Sequence, residues 1–351
     1  MTRVERLTLL AAFVALIQAC SSDRGFVGPA ASRQLGADVA EEQPQYGPWS
    51  TPVNLGPVVN APYPYVTQHP AISRDGLSLY VTSDRPGGFG GTDIWVSRRA
   101  SIDDPWGTPE NLGPNINSRG NDGAPTITLD GHQMYFHSTG HGGCGLADLF
   151  VSRRHDKWDD FGWEPAENID FPRCVLNSPL FENGPTFFED EATGVQSLYF
   201  TSLNRPGGLG DYDVWLSQRR GDEEPWGLAV DVVELNSPYR DTRTAIRRDG
   251  LEMIISSARA GGVAGSEDLW VSTRRSTLDP WSTPVNLDAD SLALGRPPVV
   301  NSAYVDGAPA LSFDGTTLYF TSERPGGFGK RDLYVTTRPQ LRGPDVVVDA
   351  R

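Results

Sequence analysis

Four carboxylates occupy one place in a repeated pattern of the 351-residue chain. Each follows an asparagine of its own (Asn117, Asn177, Asn236 or Asn301) by five residues, and the four are Asp122, Glu182, Asp241 and Asp306. Carboxylates that meet repel one another unless a cation or hydrogen bonds offset their charge. Two interpretations therefore stay open for this set: a site for Ca²⁺ or a basic peptide, or solvated carboxylates that cap loops.

A second set of aspartates follows a glycine-rich stretch in every copy of the pattern. Its members are Asp93, Asp148, Asp213, Asp268 and Asp332. A catalytic group is not needed five times, so we predict a structural role for this set. The expected role is to cap the glycine-rich loop and to pair with the arginines of that loop, Arg85, Arg205, Arg259 and Arg324.

Histidines and a cysteine are concentrated between residues 132 and 144, which suggests a zinc site at first sight. His132 and His141, however, fall at opposite ends of one strand-sized run, so they cannot meet at a metal ion. We assign no metal site and no catalytic residues from the sequence. Ca²⁺ at the four carboxylates is the one cofactor that the pattern leaves open.

The elements that position these residues are five copies of one unit. The first copy contains Pro-Ala-Ile-Ser-Arg-Asp-Gly, then Leu-Tyr-Val-Thr-Ser, then Arg-Pro-Gly-Gly-Phe-Gly-Gly-Thr-Asp-Ile-Trp-Val-Ser, and a linking piece with Pro-Trp-Gly-Thr-Pro-Glu-Asn-Leu follows. Each copy decodes into four strands, here called A to D, with a tight Asp-Gly turn between A and B. Because strands B and C show little polar alternation, both of their faces should be covered. The sequence therefore predicts an all-β fold, a five-bladed β-propeller of four-stranded antiparallel blades.

The ends of the repeat array predict how the ring closes. The last copy stops after its strand C, whereas an orphan strand D at residues 48–55 precedes the first copy. Pairing of that N-terminal strand into the last blade would remove both open edges. Because strand A is innermost in a propeller, the four carboxylates are expected at one mouth of the central channel. The first copy departs from this pattern, since Thr67 stands at the equivalent place.

The same topology predicts a disulfide between Cys144 and Cys174. In an up-and-down blade the B–C loops and the D–A links lie on one face of the ring. Cys144 belongs to a B–C loop, and Cys174 belongs to the link that leaves the same copy. They are the only cysteines left once Cys20 is assigned to lipidation, and an exported chain reaches a compartment where disulfides persist.

The repeated motifs resemble a known family. Ser-x-Asp-Gly-x-x-Leu-Tyr-Phe-x-Ser together with Arg-Pro-Gly-Gly-x-Gly-x-x-Asp-(Ile/Leu)-(Trp/Tyr)-Val-Ser is similar to the WD40-like PD40 propeller repeat, which is related to the propeller of TolB. The resemblance covers residues 47–338 and implies a propeller that binds a partner in the bacterial cell envelope. The second and third copies depart from it locally, in the glycine-rich loop and in the Asp-Gly turn respectively.

The N-terminal residues have the pattern of a lipoprotein signal. A basic start, an apolar run and Ala19-Cys20 predict a signal peptide at 1–19, lipidation of Cys20 and a flexible tether over 20–46. The propeller follows at 47–338, and a tail follows at 339–351. Loss of the signal segment, with Arg3, Glu5 and Arg6, would change the net charge from −15 to about −16. So acidic a chain disfavours nucleic acid as a partner.

These observations lead to a functional expectation with one alternative. The leading interpretation is a non-catalytic lipoprotein, not an enzyme, whose propeller face binds an envelope protein, peptide or glycan. It would be a monomer held to a membrane by its lipid, on the periplasmic side or at the cell surface, and in the outer membrane of a Gram-negative cell. The alternative is a carbohydrate-active protein, either a lectin-like binder or a five-bladed glycosidase with two unequal carboxylates in a pocket.

Overall fold

The computed structural model describes residues 45–263 and 267–342. The predicted signal peptide, Cys20, most of the tether and the tail beyond residue 342 lie outside these residues. The strands form five four-stranded antiparallel sheets arranged as the blades of a propeller, which confirms the predicted fold class. No helical segment in the described ranges has the length and hydropathy of a membrane span.

Each blade runs from an inner strand A to an outer strand D. Blade I contains β3 (Thr67–Ile72), β4 (Ser78–Ser83), β5 (Asp93–Arg98) and β6 (Glu110–Asn111). Blade II contains β7 (Asp122–Ile127), β8 (Gln133–Ser138), β9 (Asp148–Arg153) and β10 (Glu167–Asn168). Blade III contains β11 (Glu182–Asp190), β12 (Val195–Leu203), β13 (Tyr212–Arg220) and β14 (Val230–Asp231).

The last two blades differ in where their outer strand comes from. Blade IV contains β15 (Asp241–Ile246), β16 (Glu252–Ser257), β17 (Asp268–Thr273) and β18 (Val285–Asn286), and a short helix α1 (Ala289–Ala293) lies in the link that follows. Blade V contains β19 (Asp306–Leu311), β20 (Thr317–Ser322) and β21 (Asp332–Thr337), completed by β2 (Val53–Asn54) from the N-terminal side. The mixed blade predicted from the orphan strand is therefore present.

A further strand pair adjoins this closure. β1 (Gln45–Tyr46) pairs antiparallel with β22 (Gln340–Arg342), so regular structure extends slightly beyond the expected limits of 47 and 338. The ring of Tyr46 lies 3.9 Å from the guanidinium carbon of Arg338, and its hydroxyl donates to the carbonyl of Asp314 at 2.8 Å. Both ends of the ring are thus fastened to the same blade.

The hydrophobic core lies between neighbouring blades. Five clusters of buried apolar side chains correspond to the five blade interfaces. At the interface of blades I and II, for example, Tyr80, Phe136 and Trp163 pack together. Strand B is completely buried in blades I, II and IV. This explains why strands B carry aromatic and β-branched residues without polar alternation.

A cation–aromatic pair recurs at the outer part of every blade. An arginine at the end of strand C or directly after it lies over the tryptophan that precedes strand D, with 4.2–4.4 Å between the guanidinium carbon and the ring centre. The pairs are Arg99–Trp106, Arg154–Trp163, Arg219–Trp226, Arg274–Trp281 and Arg338–Trp49. Each such contact stabilises by about 0.5–2 kcal/mol. The pair of Arg338 and Trp49 joins the two ends of the ring, whereas each of the other four pairs joins residues of a single copy.

Candidate functional site

A cavity of about 170 Å³ lies on the axis of the propeller, and every strand A contributes to its wall. The lining residues are drawn from 69–74, 124–129, 184–189, 243–248 and 308–313. A concave site that all five blades share is the natural candidate for ligand binding in this fold. The wall is mixed, with prolines, alanines and the rings of Phe187, Phe188 and Phe313 beside charged side chains.

The backbone is left-handed at the first lining position of all five blades. The φ angles are 52° at His69, 50° at Ala124, 56° at Gly184, 23° at Arg243 and 49° at Ala308. A bulge in the pairing of strands A and B accompanies this position in each blade. Residues other than glycine avoid this conformation, at a cost of about 1–2 kcal/mol. The surrounding structure must therefore hold it in place.

Hydrogen bonds between blades provide that support. The amide of Ala124 donates to Oγ1 of Thr82 at 2.9 Å, from blade II to blade I. Equivalent bonds run from His69 to Thr321, from Arg243 to Thr201 and from Ala308 to Ser256. In blade II the corresponding strand-B residue is His137 instead of a hydroxyl residue. The interface of blades II and III therefore differs from the other four.

Positive charge dominates the cavity wall. Arg74, Arg243, Arg247 and Arg248 line it, and Glu189 is the one carboxylate among the lining residues. The protein as a whole carries a net charge of −15, so the cavity is electrostatically opposite to the rest of the chain. Cations concentrated in a concave site attract anionic ligands.

The arginines differ in how far the protein neutralises them. Arg247 donates to Asp249 at 2.9 Å and to Glu252 at 2.8 Å, so its charge is compensated. Arg74 and Arg248 lie 4.5 and 4.6 Å from the ring centre of Phe313, and Arg248 also reaches the exposed Glu191 at 3.4 Å.

Arg243 differs from Arg247. Within residues 45–263 and 267–342 its Nε has no hydrogen-bond partner, a property that it shares with Arg74. Burial lowers the pKa of Arg243 to about 10, and the carboxylate of Glu267 opposes this shift. Arg243 therefore stays protonated near neutral pH.

Two buried histidines accompany Arg243. Burial, with the positive charge of Arg243 next in effect, lowers the pKa of His137 to about 3. Burial and then Arg243 lower the pKa of His69 well below its ordinary value. Both imidazoles are therefore neutral at physiological pH, and in the described part of the chain the Nδ1 atoms of both have no partner. His69 lines the cavity itself.

The four carboxylates predicted for a channel mouth do not line the cavity. Asp122, Glu182, Asp241 and Asp306 begin their strands A, are fully buried, and precede the first lining residue by two positions. Each accepts hydrogen bonds from the amide and the hydroxyl of a serine four residues earlier. They cap the D–A links from inside the protein, and none of them lines the cavity.

The partners of this set also correct the predicted arginine pairing. Arg259 donates to Asp241 at 2.5 Å and Arg324 donates to Asp306 at 2.6 Å, whereas Arg205 lies 3.6 Å from Glu182. The loop arginines thus pair with strand-A carboxylates and not with the aspartates that begin strand C. In blade I, Thr67 accepts from Arg85 at 3.1 Å and takes the place of the acid.

The strand-C aspartates do cap the glycine-rich loops, as predicted. Asp93 accepts from the amide of Phe89, and Asp332 accepts from the amides of Phe328 and Gly329. Asp268 accepts from the amide of Val263, and burial raises its pKa to about 6. Within the described ranges, no group of three histidine, cysteine, aspartate or glutamate side chains is arranged to hold a metal ion.

The predicted disulfide is confirmed. Cys144 and Cys174 are bonded, with their Cα atoms 5.6 Å apart. It joins the B–C loop of blade II to the link that leads to blade III.

The cavity-lining cations were not predicted from the sequence. A signal was available, because the position two residues after the strand-A carboxylate is Ala124, Gly184 and Ala308 in three blades but His69 and Arg243 in the other two. A large side chain at a position that is small in the other copies shows where a blade differs from the repeat.

Comparisons with known proteins place the fold among propeller enzymes. No sequence-family model matches the chain, and no curated protein matches it in sequence. An α-L-arabinofuranosidase from Podospora anserina superposes with a TM-score of 0.53 at 13% identity, over 84% of this chain and 97% of the other. The catalytic domain of a GH62 α-L-arabinofuranosidase from Coprinopsis cinerea gives 0.52 at 12%, over 83% and 98%. An arabinanase from Bacillus subtilis gives 0.52 at 13%, over 81% and 96%. At these identities the likeness shows the fold.

These findings correct two of the predictions. The assignment to the PD40 and TolB-like family is wrong, because the similar structures are five-bladed glycoside hydrolases and no family model matches. The Asp-Gly turns and loop-capping aspartates on which it rested serve hydrogen bonding within a blade, so they do not mark one family. The prediction that the chain is not an enzyme is contradicted by the same neighbours, which are themselves glycoside hydrolases.

Proposed function

We propose that this protein is a carbohydrate-active protein, of the glycoside hydrolase class, that takes the end of a glycan into the central cavity. The observation that carries the proposal is the axial cavity, whose wall combines aromatic rings with arginines and one carboxylate. Its volume of about 170 Å³ is below the ~300 Å³ at which drug-sized pockets begin. A single sugar unit suits it better than a longer segment. The fold neighbours, two arabinofuranosidases and an arabinanase, support a sugar as ligand.

Glu189 is the residue to which we assign acid–base chemistry. It ends the lining segment of blade III and is the one carboxylate of the wall. Glycoside hydrolysis ordinarily uses two carboxyl groups, one that protonates the glycosidic oxygen and one that acts as base or nucleophile. Of the two unequal carboxylates expected in the pocket, Glu189 is the one that lines the cavity among the described residues, so it is assigned the acid–base role and the wall supplies one member of the pair. If the cavity holds a glycan without cleaving it, the lectin-like form of the same proposal applies. In that case Glu189 accepts hydrogen bonds from sugar hydroxyls.

Hydrolysis and binding can be measured on the same glycan panel. Arabinan and other plant and bacterial polysaccharides would be incubated with the purified protein, with reducing ends as one readout and calorimetric binding as the other. The enzymatic form of the proposal would be supported if the wild type hydrolyses a glycan, Glu189→Gln abolishes this activity, and the exposed control variant Glu223→Gln retains it. Binding without hydrolysis would support the lectin-like form, and the absence of both would overturn the proposal.

We further propose that the protein is an exported lipoprotein of the cell envelope. The basic start, the apolar run and Ala19-Cys20 support lipidation, and a disulfide between Cys144 and Cys174 suits an oxidising compartment. The propeller would then meet envelope or environmental glycans while its lipid holds it to a membrane.

A further inference from the structure

The side chain of Arg243 extends from its own strand A towards strand A of blade III at the wall of the cavity. A Cβ atom on Gly184 would lie 3.0 Å from Cγ of Arg243 and 3.5 Å from its Nε, so the arginine side chain extends over the neighbouring strand A. The left-handed backbone at Arg243, with φ at 23°, directs the side chain there. The direction of the Arg243 side chain depends on the bulge between Thr242 and Thr244. In a regular strand conformation the side chain would point elsewhere.

The groups around Arg243 do not neutralise it. Glu267 is engaged with the hydroxyl of Thr242 at 2.7 Å, and Arg331 adds a second cation whose Nε is paired with Glu323 at 2.7 Å. His69 and His137 are both at least nine-tenths buried, and their Nδ1 atoms lack partners in the described part of the chain. Within the described residues, Nδ1 of His69 and Nε of Arg243, both from residues of the cavity wall, are thus left without a hydrogen bond.

A buried polar atom without a hydrogen bond destabilises the folded protein unless a ligand supplies the missing partner. Arg243 is only partly buried, but its Nε is buried and has no hydrogen-bond partner within the described residues, so part of its capacity to donate is unused. An anionic group with several acceptor oxygens would offset the charge and accept from the guanidinium, whose planar fork suits carboxylates and oxyanions. Arg74 and Arg248, on either side of Phe313 at the other end of the cavity wall, extend the positive potential in an otherwise acidic protein.

We propose that the glycan taken by the central cavity is acidic, and that Arg243, with His69 beside it, binds its carboxylate or sulfate group. This inference rests on the proposed function and names the substrate class of the same site. In this arrangement the guanidinium of Arg243 binds the anionic group of the sugar, and the other residues of the cavity wall surround the rest of the sugar unit.

The test compares charged and neutral ligands on matched variants. Calorimetry would use oligogalacturonate, a sulfated galactan oligosaccharide, neutral arabinan oligosaccharide and inorganic sulfate with the wild type, Arg243→Gln and Arg240→Gln. Arg240 is an exposed arginine three residues away that pairs with Asp211, and it serves as the control. We expect an acidic glycan to bind about 10- to 100-fold more weakly to Arg243→Gln, the loss of a hydrogen bond to a charged group. Arg240→Gln should bind it normally.

Each result separates the two proposals. Preference for the galacturonate identifies a carboxylate as the anion, and preference for the galactan identifies a sulfate. Binding of neutral glycan alone, unchanged in Arg243→Gln, would overturn the acidic-glycan inference and leave the proposed function standing. Sulfate binding that Arg243→Gln removes, without any glycan binding, would support the anion site and overturn the proposed function. If Arg243→Gln does not fold, two other measurements replace it: the binding of acidic glycan by Arg243→Lys, and the dependence of wild-type binding on salt concentration. Binding of acidic glycan that salt does not weaken would contradict the inference.

Discussion

The side-chain amide of Asn54 donates a hydrogen bond to Oδ2 of Asp332 at 3.0 Å, across a separation of 278 residues. The same bond joins strands D and C within single blades, from Asn111 to Asp93 and from Asn286 to Asp268. The closing blade therefore reproduces, between the two ends of the ring, a contact that blades I, II and IV make locally. The ring is closed by the same type of hydrogen bond that joins strands C and D within single blades.

The first prediction concerns Asn54→Ala, with Asn286→Ala as its matched control. Each asparagine also accepts from an amide two residues on and from the asparagine of the following link, so the two substitutions remove the same bonds. We expect each to lower the free energy of unfolding by about 1–3 kcal/mol in denaturant titrations. Only Asn54→Ala should speed proteolytic cleavage near residue 50, because β2 has no covalent hairpin neighbour in its blade. Equal cleavage rates in both variants would count against closure by β2.

The fold could be predicted from the sequence because its determinants are local and repeated. The Asp-Gly turn, the loop-capping aspartate and the Pro-Trp segment each recur, and the orphan strand at 48–55 was sufficient to predict the mixed blade. The link asparagine is a further example. Asn117 donates to and accepts from the backbone of Ile94, and the other four blades repeat this pair of bonds.

The cavity could not be predicted in the same way. Asp241 and Arg243 are two residues apart, and regular strand alternation would place both on one face. The bulge and the left-handed φ at Arg243 separate them, so the acid is buried under the link and the cation lines the cavity. The wall also combines side chains from five strands far apart in sequence. The pattern of a single repeat therefore predicted the carboxylates as site residues and did not indicate the arginines.

The second prediction concerns the bond between Cys144 and Cys174, which closes a loop with a sequence separation of 30. The double variant Cys144→Ser/Cys174→Ser should lose about 3–4 kcal/mol of unfolding free energy, by the chain-entropy estimate for a loop of this length. Guanidinium titrations would measure the loss. Reductant should destabilise the wild type and leave the double variant unchanged, and a variant as stable as the oxidised wild type would contradict the prediction.

The third prediction is that His137 makes the protein sensitive to acid. Burial holds the pKa of His137 at about 3 in the folded protein, whereas an exposed histidine titrates near ~6.5. Between these values the unfolded chain binds a proton that the folded protein does not, so stability falls as the pH drops from about 6.5 towards 3. His137→Thr, which restores the hydroxyl found in blades I, III and V, should shift the midpoint of acid unfolding to lower pH.

An exposed histidine provides the control for this change. His155→Thr removes a histidine from the surface and should leave the midpoint of acid unfolding where it is. Circular dichroism across the pH range would record both variants. His69 has a lowered pKa for the same reason and remains in each, so the shift in His137→Thr should be partial. A midpoint identical to that of the wild type would show that His137 does not contribute.

The fourth prediction is lipidation at Cys20, which lies outside the described residues. Cells fed an acyl-chain probe should label the wild-type protein and not Cys20→Ser, since the thiol is the site of attachment. Membrane fractionation of the same cells would report the anchor separately. Equal labelling of the two proteins would rule out Cys20 as the lipidated residue.

The last prediction uses Gly184 to move Arg243 without changing it. In Gly184→Ala the new methyl group would lie 3.0 Å from Cγ of Arg243, closer than ordinary packing allows, so the arginine side chain must give way by a few tenths of an ångström. The left-handed φ of 56° adds a conformational cost of about 1 kcal/mol. Gly113→Ala is the matched control, because its φ of 84° carries a similar cost while a methyl group there meets nothing within 4 Å. Both variants should therefore unfold at somewhat lower denaturant concentrations than the wild type. Only Gly184→Ala should weaken the binding of an acidic glycan in calorimetry, because only there must the side chain of the anion-binding arginine give way. Normal binding by Gly184→Ala would mean that the placement of Arg243 over Gly184 does not determine recognition.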